Sequence, residues 1–298
     1  MTNQNSLTHK IDFALILRVK NSNPNGDPLN GNRPRTDYEG HGEITDVCLK
    51  RKIRDRLIER YQHLKDEQKE GQAIFVQSDD RKIDNATSLR ARAEEVLKGK
   101  LGGSETASIA CKTWFDVRAF GQLFAFKKDK KGRKNETEQE SDGDTGVSIG
   151  IRGPVTIQSA FSTGLVSVSS NQITKSVNSE DTKDGKRSSD TMGMKHRIDN
   201  GIYVTFGSMN PQLAERTFFS DTDAETIKSI LPKLFENDAS SARPEGSMEV
   251  IKVIWWKHNC FSGQYSSAKV HRSLTVKSDG SYSLDNLSGL EPEEIDGF

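Results

Sequence analysis

Residues 21–35 read NSNPNGDPLNGNRPR and hold five Asn, two Gly, three Pro and two Arg around a single large apolar residue, Leu29. Asn side chains accept and donate hydrogen bonds at once, and Gly26 and Gly31 let a backbone come close to a ligand. Arg33 and Arg35 add charge. This chemistry suits a polyanion with polar edges, and the loop reads as one that holds RNA. A rival reading places Asn21, Asn23, Asn25 and Gly26 at the first, third, fifth and sixth positions of a calcium loop. The twelfth position is then Asn32, where a bidentate Glu is required, and Asp27 is the only acid. A third reading is a plain Asn/Pro turn.

Three further groups bear on chemistry. Residues 50–56, KRKIRDR, put five bases in seven residues. Lys50, Arg51 and Arg54 there are candidates for phosphate contact, which supplies affinity and position and no base reading. Arg118-Ala-Phe-Gly121 echoes the aromatic strand motif of RNA-recognition domains, but Gln122 stands where a stacking aromatic belongs. Phe120 then reads as core, and RNA is not expected on the sheet face. Lys195 and His196, with a tyrosine such as Tyr203, would suffice for metal-independent RNA cleavage by acid–base and electrostatic roles. A His beside a Lys is more often a binding pair. The chain has no G-x-x-x-x-G-K loop, no Cys/His metal cluster and no G-x-S-x-G.

The elements that must position these groups follow from periodicity. Ile11 to Lys20 alternates strictly, which predicts a half-buried strand leading into the Asn loop. Thr45 is a good N-cap, and Leu49, Ile53, Leu57, Tyr61 and Leu64 form a helical stripe with Lys50, Arg51, Arg54 and Arg56 off it. Residues 71–112 are weakly periodic, with a small helix expected around Ala86–Leu97. Trp114–Phe126, Val147–Phe161 and Gly201–Gly207 have strand composition. Thr222-Asp-Ala-Glu225 predicts a capping box for a stripe of Ile227, Ile230, Leu231, Leu234 and Phe235, which Pro232 must kink or shorten. Met248–Lys257 predicts a central strand. The order is the split βαβ of a ferredoxin-like fold, shared with RNA-recognition domains.

Two stretches stand outside this skeleton. Residues 127–146 turn from basic to acidic without a large apolar side chain and read as a mobile, solvated loop. Residues 162–194 are rich in Ser, Thr and Asn. With 298 residues and 33% hydrophobic composition, the core occupies only part of the chain. Net charge is zero, so any polyanion site is a local patch. Basic charge gathers at 50–56, and the fourteen residues from Asp285 carry five acids and no base. Cys48, Cys111 and Cys260 are scattered, as expected of reduced thiols in a cytoplasmic protein. No apolar run approaches the roughly 20 residues that span a bilayer.

NPNGDP with GNRPR, then TDVCLKRKIRD, DVRAFG, SIGIRGPV, QITKSVNS, MGMKHRIDNGIY and ENDASSARPEGSMEV occur in order along nearly the whole chain. Together they resemble the backbone subunit of type I-C CRISPR surveillance complexes, of the Cas-seven family and its Csd-two branch. The resemblance implies a single α+β domain over 1–298: a ferredoxin-like, RNA-recognition-motif palm with a finger-like insertion at 71–112 and a β-hairpin thumb at 162–195. It implies copies polymerising along a CRISPR RNA spacer and presenting it to target DNA, without catalysis and without a cofactor. Repeat-processing ribonuclease is the alternative. The implied companions are Cas-five-type and Cas-eight-type subunits and, later, the helicase-nuclease Cas-three. The RNA-binding positions carried over are Asn21, Asn23, Asn25, Arg33, Arg35, Lys50, Arg51, Arg54, Arg118, Gln158, Ile173, Thr174, Lys175, Met194, Lys195 and His196.

Overall fold

The structure, a computed structural model, describes residues 6–126, 147–175 and 191–298. The loop expected at 127–146 lies outside them. Strand β1 (Ile11–Ser22) is where the alternation predicts it. It is buried on both faces, not one: Phe13, Leu15 and Leu17 on one side and Asp12, Ala14 and Ile16 on the other are fully buried. The Asn loop carries β2 (Gly26–Asp27) paired with β3 (Arg33–Pro34) around a 3-10 turn at Pro28–Asn30. Strand β4 (His41–Ile44) leads into α1 (Asp46–His63), whose cap is Thr45, the Oγ1 accepting from the Cys48 N–H at 3.3 Å.

Helices α2 (Leu89–Leu97), α3 (Thr106–Thr113) and α4 (Phe115–Phe120) follow, and β5 (Gly121–Phe126) pairs with β6 (Val147–Arg152). Strand composition at Trp114–Phe126 therefore holds only from Gly121. The first half is helical because it sits between two cores. Phe115 and Ala119 enter the main one, while Trp114 and Val117 enter a second with Phe75, Ala93, Leu97, Ala110 and Phe124. Tertiary packing overrides strand propensity there. The second core draws on residues past 112, so the insertion shares its interior with what comes after it.

Strands β7 (Val155–Ile157), β8 (Ala160–Leu165), β9 (Val168–Lys175) and β10 (Thr191–Met209) come next, then α5 (Pro211–Thr217) and α6 (Asp221–Ile230). The cap of α6 is Ser220 with Asp223, two residues before the box expected at Thr222. Ser220 Oγ accepts from the Asp223 N–H at 3.1 Å, and Asp223 Oδ2 from the Ser220 N–H at 2.9 Å. The helix ends at Ile230 and a 3-10 turn takes in Pro232, which is the shortening expected of a missing N–H. Strand β11 (Met248–Lys257), α7 (Ser267–Arg272), β12 (Leu274–Val276), β13 (Tyr282–Leu284) and β14 (Glu293–Asp296) complete the described chain.

The main sheet runs β14-β11-β1-β10-β8-β4, with β7 and β9 also on β10, and its recorded pairs are antiparallel. In chain order α1 follows β4 and lies between β1 and the strands β7 and β8, and α5 and α6 lie between β10 and β11. This is the split βαβ arrangement of the expected palm. Helices α1 and α6 cover one face through Leu49, Ile53, Leu57, Ala224 and Ile227. Val270, Leu274, Leu287 and Leu290 cover the other, over Ala14, Ile16, Ile202, Ile254 and Trp256. The face on which RNA-recognition domains stack bases is thus closed, and this second layer is why β1 has no wet side. Among the described residues, no helix is long and apolar enough to cross a membrane.

Candidate nucleic-acid interface

The Asn loop is held by its own polar groups. Asn21, Gly31 and Asn32 adopt left-handed backbone, with φ of 52°, 57° and 59°, a region Asn and Gly enter at least cost. Asn25 Oδ1 accepts from the Thr45 N–H at 2.9 Å and its hydroxyl at 2.8 Å, tying the loop to the start of α1. The Asn23 N–H donates to Ala242 O at 2.9 Å, and Asn23 Nδ2 donates to Asn32 O at 2.7 Å. A Cβ on Gly26 would stand 2.0 Å from Asn32 Oδ1, so any larger residue there must displace the Asn32 side chain from this closure. Asp27 caps the 3-10 turn by accepting from the Leu29 N–H at 3.2 Å and pairs with Arg35 at 3.3 Å. The calcium reading loses its support here: its one acid and the Asn25 oxygen are both engaged.

Strands β9 and the first half of β10 form a two-stranded ribbon, from Thr191 opposite Lys175 to Ile198 opposite Val168. Ile173, Met192 and Met194 stand more than half exposed on it. Ser170 Oγ and His196 Nδ1 are 2.8 Å apart across the ribbon. Where its base meets the Asn loop there is a cleft of about 220 Å³, lined by Asn23, Gly31, Asn32, Ile173, Met194, Lys195, His196, Ser241 and Ala242. Of the positions expected from sequence, the structure brings Asn23, Ile173, Met194, Lys195 and His196 into one place. Asn21, Asn25, Arg33 and Arg35 frame it in the same loop. Thr174 is exposed on the ribbon, and the Lys175 side chain lies outside the described residues. Gln158 is exposed between β7 and β8 and does not line the cleft.

The basic helix is not the open cationic face its sequence suggests. Lys50 pairs with Asp46 at 3.0 Å, Arg51 with Asp55 at 2.8 Å, and the fully buried Lys52 with Asp238. Arg54 Nε lies 2.9 Å from Asp116 and its guanidinium sits over the Phe120 ring. Burial opposes the charge on Lys52 and depresses its pKa, while Asp238 holds against that. The first two pairs lie within α1, while those of Arg54 and Lys52 fasten it to α4 and to the loop after α6. Arg118 departs furthest from expectation. It is 6% exposed and forks onto Asp223 at 2.9 and 2.7 Å, so it fixes α4 to α6. An Arg read from sequence as an RNA contact stands here in a buried pair whose partner lies 105 residues along the chain.

The cleavage trio does not assemble. Tyr203 is fully buried in the main core, and burial pushes its phenol well above the ordinary range. Its hydroxyl has no hydrogen-bond partner among the described residues and lies against Gly42, with the ring edge against Gly201. Lys195 and His196 remain at the cleft without it.

Gly31, Asn32, Ser241 and Ala242 line the cleft unanticipated. Gly31 and Asn32 were legible as neighbours of Asn23 in the loop. Ser241 and Ala242 lie in the family-like stretch ENDASSARPEGSMEV, but small side chains carry no chemical signal of their own.

A family model described as CRISPR-associated protein Cas7 matches residues 9–292. A Haloferax volcanii protein described as CRISPR-associated protein Cas7 is 28% identical over 293 residues, covering 95% of this chain and 79% of the relative. A chain of a CRISPR RNA-guided surveillance complex, pre-nicking, superposes with a TM-score of 0.45 at 14% identity, covering 91% of this chain and 82% of that one. A second chain, of a CRISPR RNA-guided surveillance complex, gives 0.44 at 16% identity, covering 91% and 77%.

Proposed function

Because the chain belongs to the CRISPR-associated Cas7 family, we propose that it is the guide-RNA-binding backbone subunit of a type I-C surveillance complex. Copies polymerise along the spacer and present it for pairing with target DNA. The observation that carries this reading is the cleft where the Asn loop, the β9–β10 ribbon and residues 241–242 converge. It offers a Lys with no ion-pair partner among the described residues, half-exposed apolar side chains and fixed amide groups. Among the described residues that line it there is no Arg, Asp, Glu or Gln, and the Asn23 amide nitrogen is already committed to Asn32 O. That is the character of a site that grips the backbone of any sequence and leaves reading to Watson–Crick pairing. The ribbon is the thumb of this reading, reaching the guide beside a neighbouring copy, and α2 and α3 are the fingers.

The subtype rests on the sequence blocks quoted above. The companions that follow from it are Cas-five-type and Cas-eight-type subunits, with the helicase-nuclease Cas-three recruited to the complex. A scaffold is favoured over a repeat-cleaving nuclease because Tyr203 is withdrawn into the core and His196 is engaged by Ser170.

The test is binding of two unrelated single-stranded RNAs across a salt series. Lys195→Ala is expected to weaken both equally and to flatten the salt slope by about one unit for the lost phosphate contact. Loss confined to one sequence, or no RNA binding by the unaltered protein, overturns the reading.

A further inference from the structure

Among the described residues that line the cleft, one has a buried side-chain oxygen with no partner. Asn23 is 3% exposed, and its backbone N–H is committed to Ala242 O. Its Nδ2 donates to Asn32 O at 2.7 Å. Turning the amide over would set oxygen against oxygen, so this bond decides which end of the carboxamide is which. The other end, Oδ1, is buried and accepts nothing from any described residue. A buried acceptor without a donor is costly, and natural structures seldom leave one so.

The missing donor has a definite chemistry. A phosphate carries only acceptors at neutral pH, so it cannot satisfy Oδ1, whereas Lys195 on the same cleft can serve it. A donor on a base edge would make the site read sequence, which a backbone grip does not. Of the groups that a guide strand presents, the ribose 2′-hydroxyl remains. It donates, it recurs at every nucleotide whatever the base, and DNA lacks it. We infer that the Asn23 carboxamide oxygen accepts a hydrogen bond from a guide 2′-hydroxyl, and that this contact makes the cleft select ribose over deoxyribose. The inference rests on the guide-binding reading above and adds to it the sugar that the site distinguishes. Asn23 can serve this role because the loop gives it no freedom: its backbone and its amide nitrogen are both pinned before any ligand arrives.

The experiment compares affinities for one single-stranded sequence made in three forms: all-ribose, all-2′-deoxy and all-2′-fluoro. The fluoro form keeps the RNA sugar pucker but has no hydroxyl to donate. The unaltered protein is expected to bind the ribose form between about three- and tenfold more tightly than either other form, the size of one net hydrogen bond. In Asn23→Ala the three affinities converge on the 2′-deoxy value. In Lys195→Ala all three fall while their ratio survives. Fluoro binding as tightly as ribose overturns the inference, as does an equal loss of all three in Asn23→Ala, which is the mark of a purely structural residue. A ribose preference that vanishes with a second, unrelated sequence also overturns it, since the donor is then a base. If Asn23→Ala fails to fold, the fluoro arm on the unaltered protein decides alone. Binding of none of the three forms overturns the guide-binding reading itself, whereas equal binding of all three overturns only the sugar selection.

Discussion

Arg118 and Lys195 are both cations picked from sequence as RNA contacts, and their surroundings give them opposite work. Removing Arg118 leaves the buried Asp223 without compensation at the cap of α6. Arg118→Ala is therefore expected to cost about 3–5 kcal/mol in denaturant unfolding, as for other broken buried pairs. RNA affinity per folded molecule should stay unchanged. A variant of full stability with weakened RNA binding would return Arg118 to the interface. Lys195→Ala should show the reverse pattern. The sequence carries the difference only in part. The Asn loop is legible because its Pro, Gly and Asn act locally, within a few residues. Whether an Arg is spent or free depends on an acid that the fold brings from far along the chain, and no local pattern records that.

At the scale of elements, the clearest patterns gave the right strands and helices. Ile11–Lys20, Met248–Lys257 and the stripe broken by Pro232 fall where periodicity places them. Helix α4 was missed because two cores share its six residues, and the cap of α6 was misplaced because two overlapping segments fit the same pattern. The second layer over β1 was also hidden, and Asp12 shows how it is fastened. This fully buried carboxylate lies 2.9 Å from His258 Nε2, 3.4 Å from His271 Nε2 and 3.2 Å from Lys10. Burial raises its pKa, but the hydrogen bond from His258, the polar groups of His271 and Ser267 beside it and the charge of Lys10 outweigh that. They hold the carboxyl well below the usual range. The unfolded chain thus takes up the proton first. The stability this group contributes is complete above the unperturbed value of about 4 and is lost as pH falls below it toward the depressed folded value. Melting temperature measured from pH 5 downward should fall more steeply in the unaltered protein than in Asp12→Asn. Parallel curves would show that the carboxylate does not link the two layers through its charge.

At the scale of the molecule, zero net charge and a polyanion site are compatible because the densest basic run and the acidic tail are both paired within the chain. The run at 50–56 is answered by Asp46, Asp55, Asp116, Glu59 and Asp238, and the acidic tail by Lys228 and Lys252. The surface that calls for a partner is local: a cleft, and a ribbon with Ile173, Met192 and Met194 exposed to water. Exposed apolar side chains on a ribbon that adds little to its own core make sense when a second copy or a guide covers them. A head-to-tail contact is heterologous and builds an open filament whose length the RNA must limit. Deleting residues 170–190 tests this division of labour. The interval removes most of β9 but leaves the palm strands, and of the ribbon's first strand only Val168, outside the cut, packs on the main core. Thermal unfolding should barely shift, while multimers on guide RNA, counted by light scattering or native mass, should collapse to single copies. A deleted chain that still lines a guide in full number would take assembly away from the ribbon. A chain that simply unfolds would mean that the ribbon is part of the core, and that the exposed Ile173, Met192 and Met194 are not the price of contact between copies.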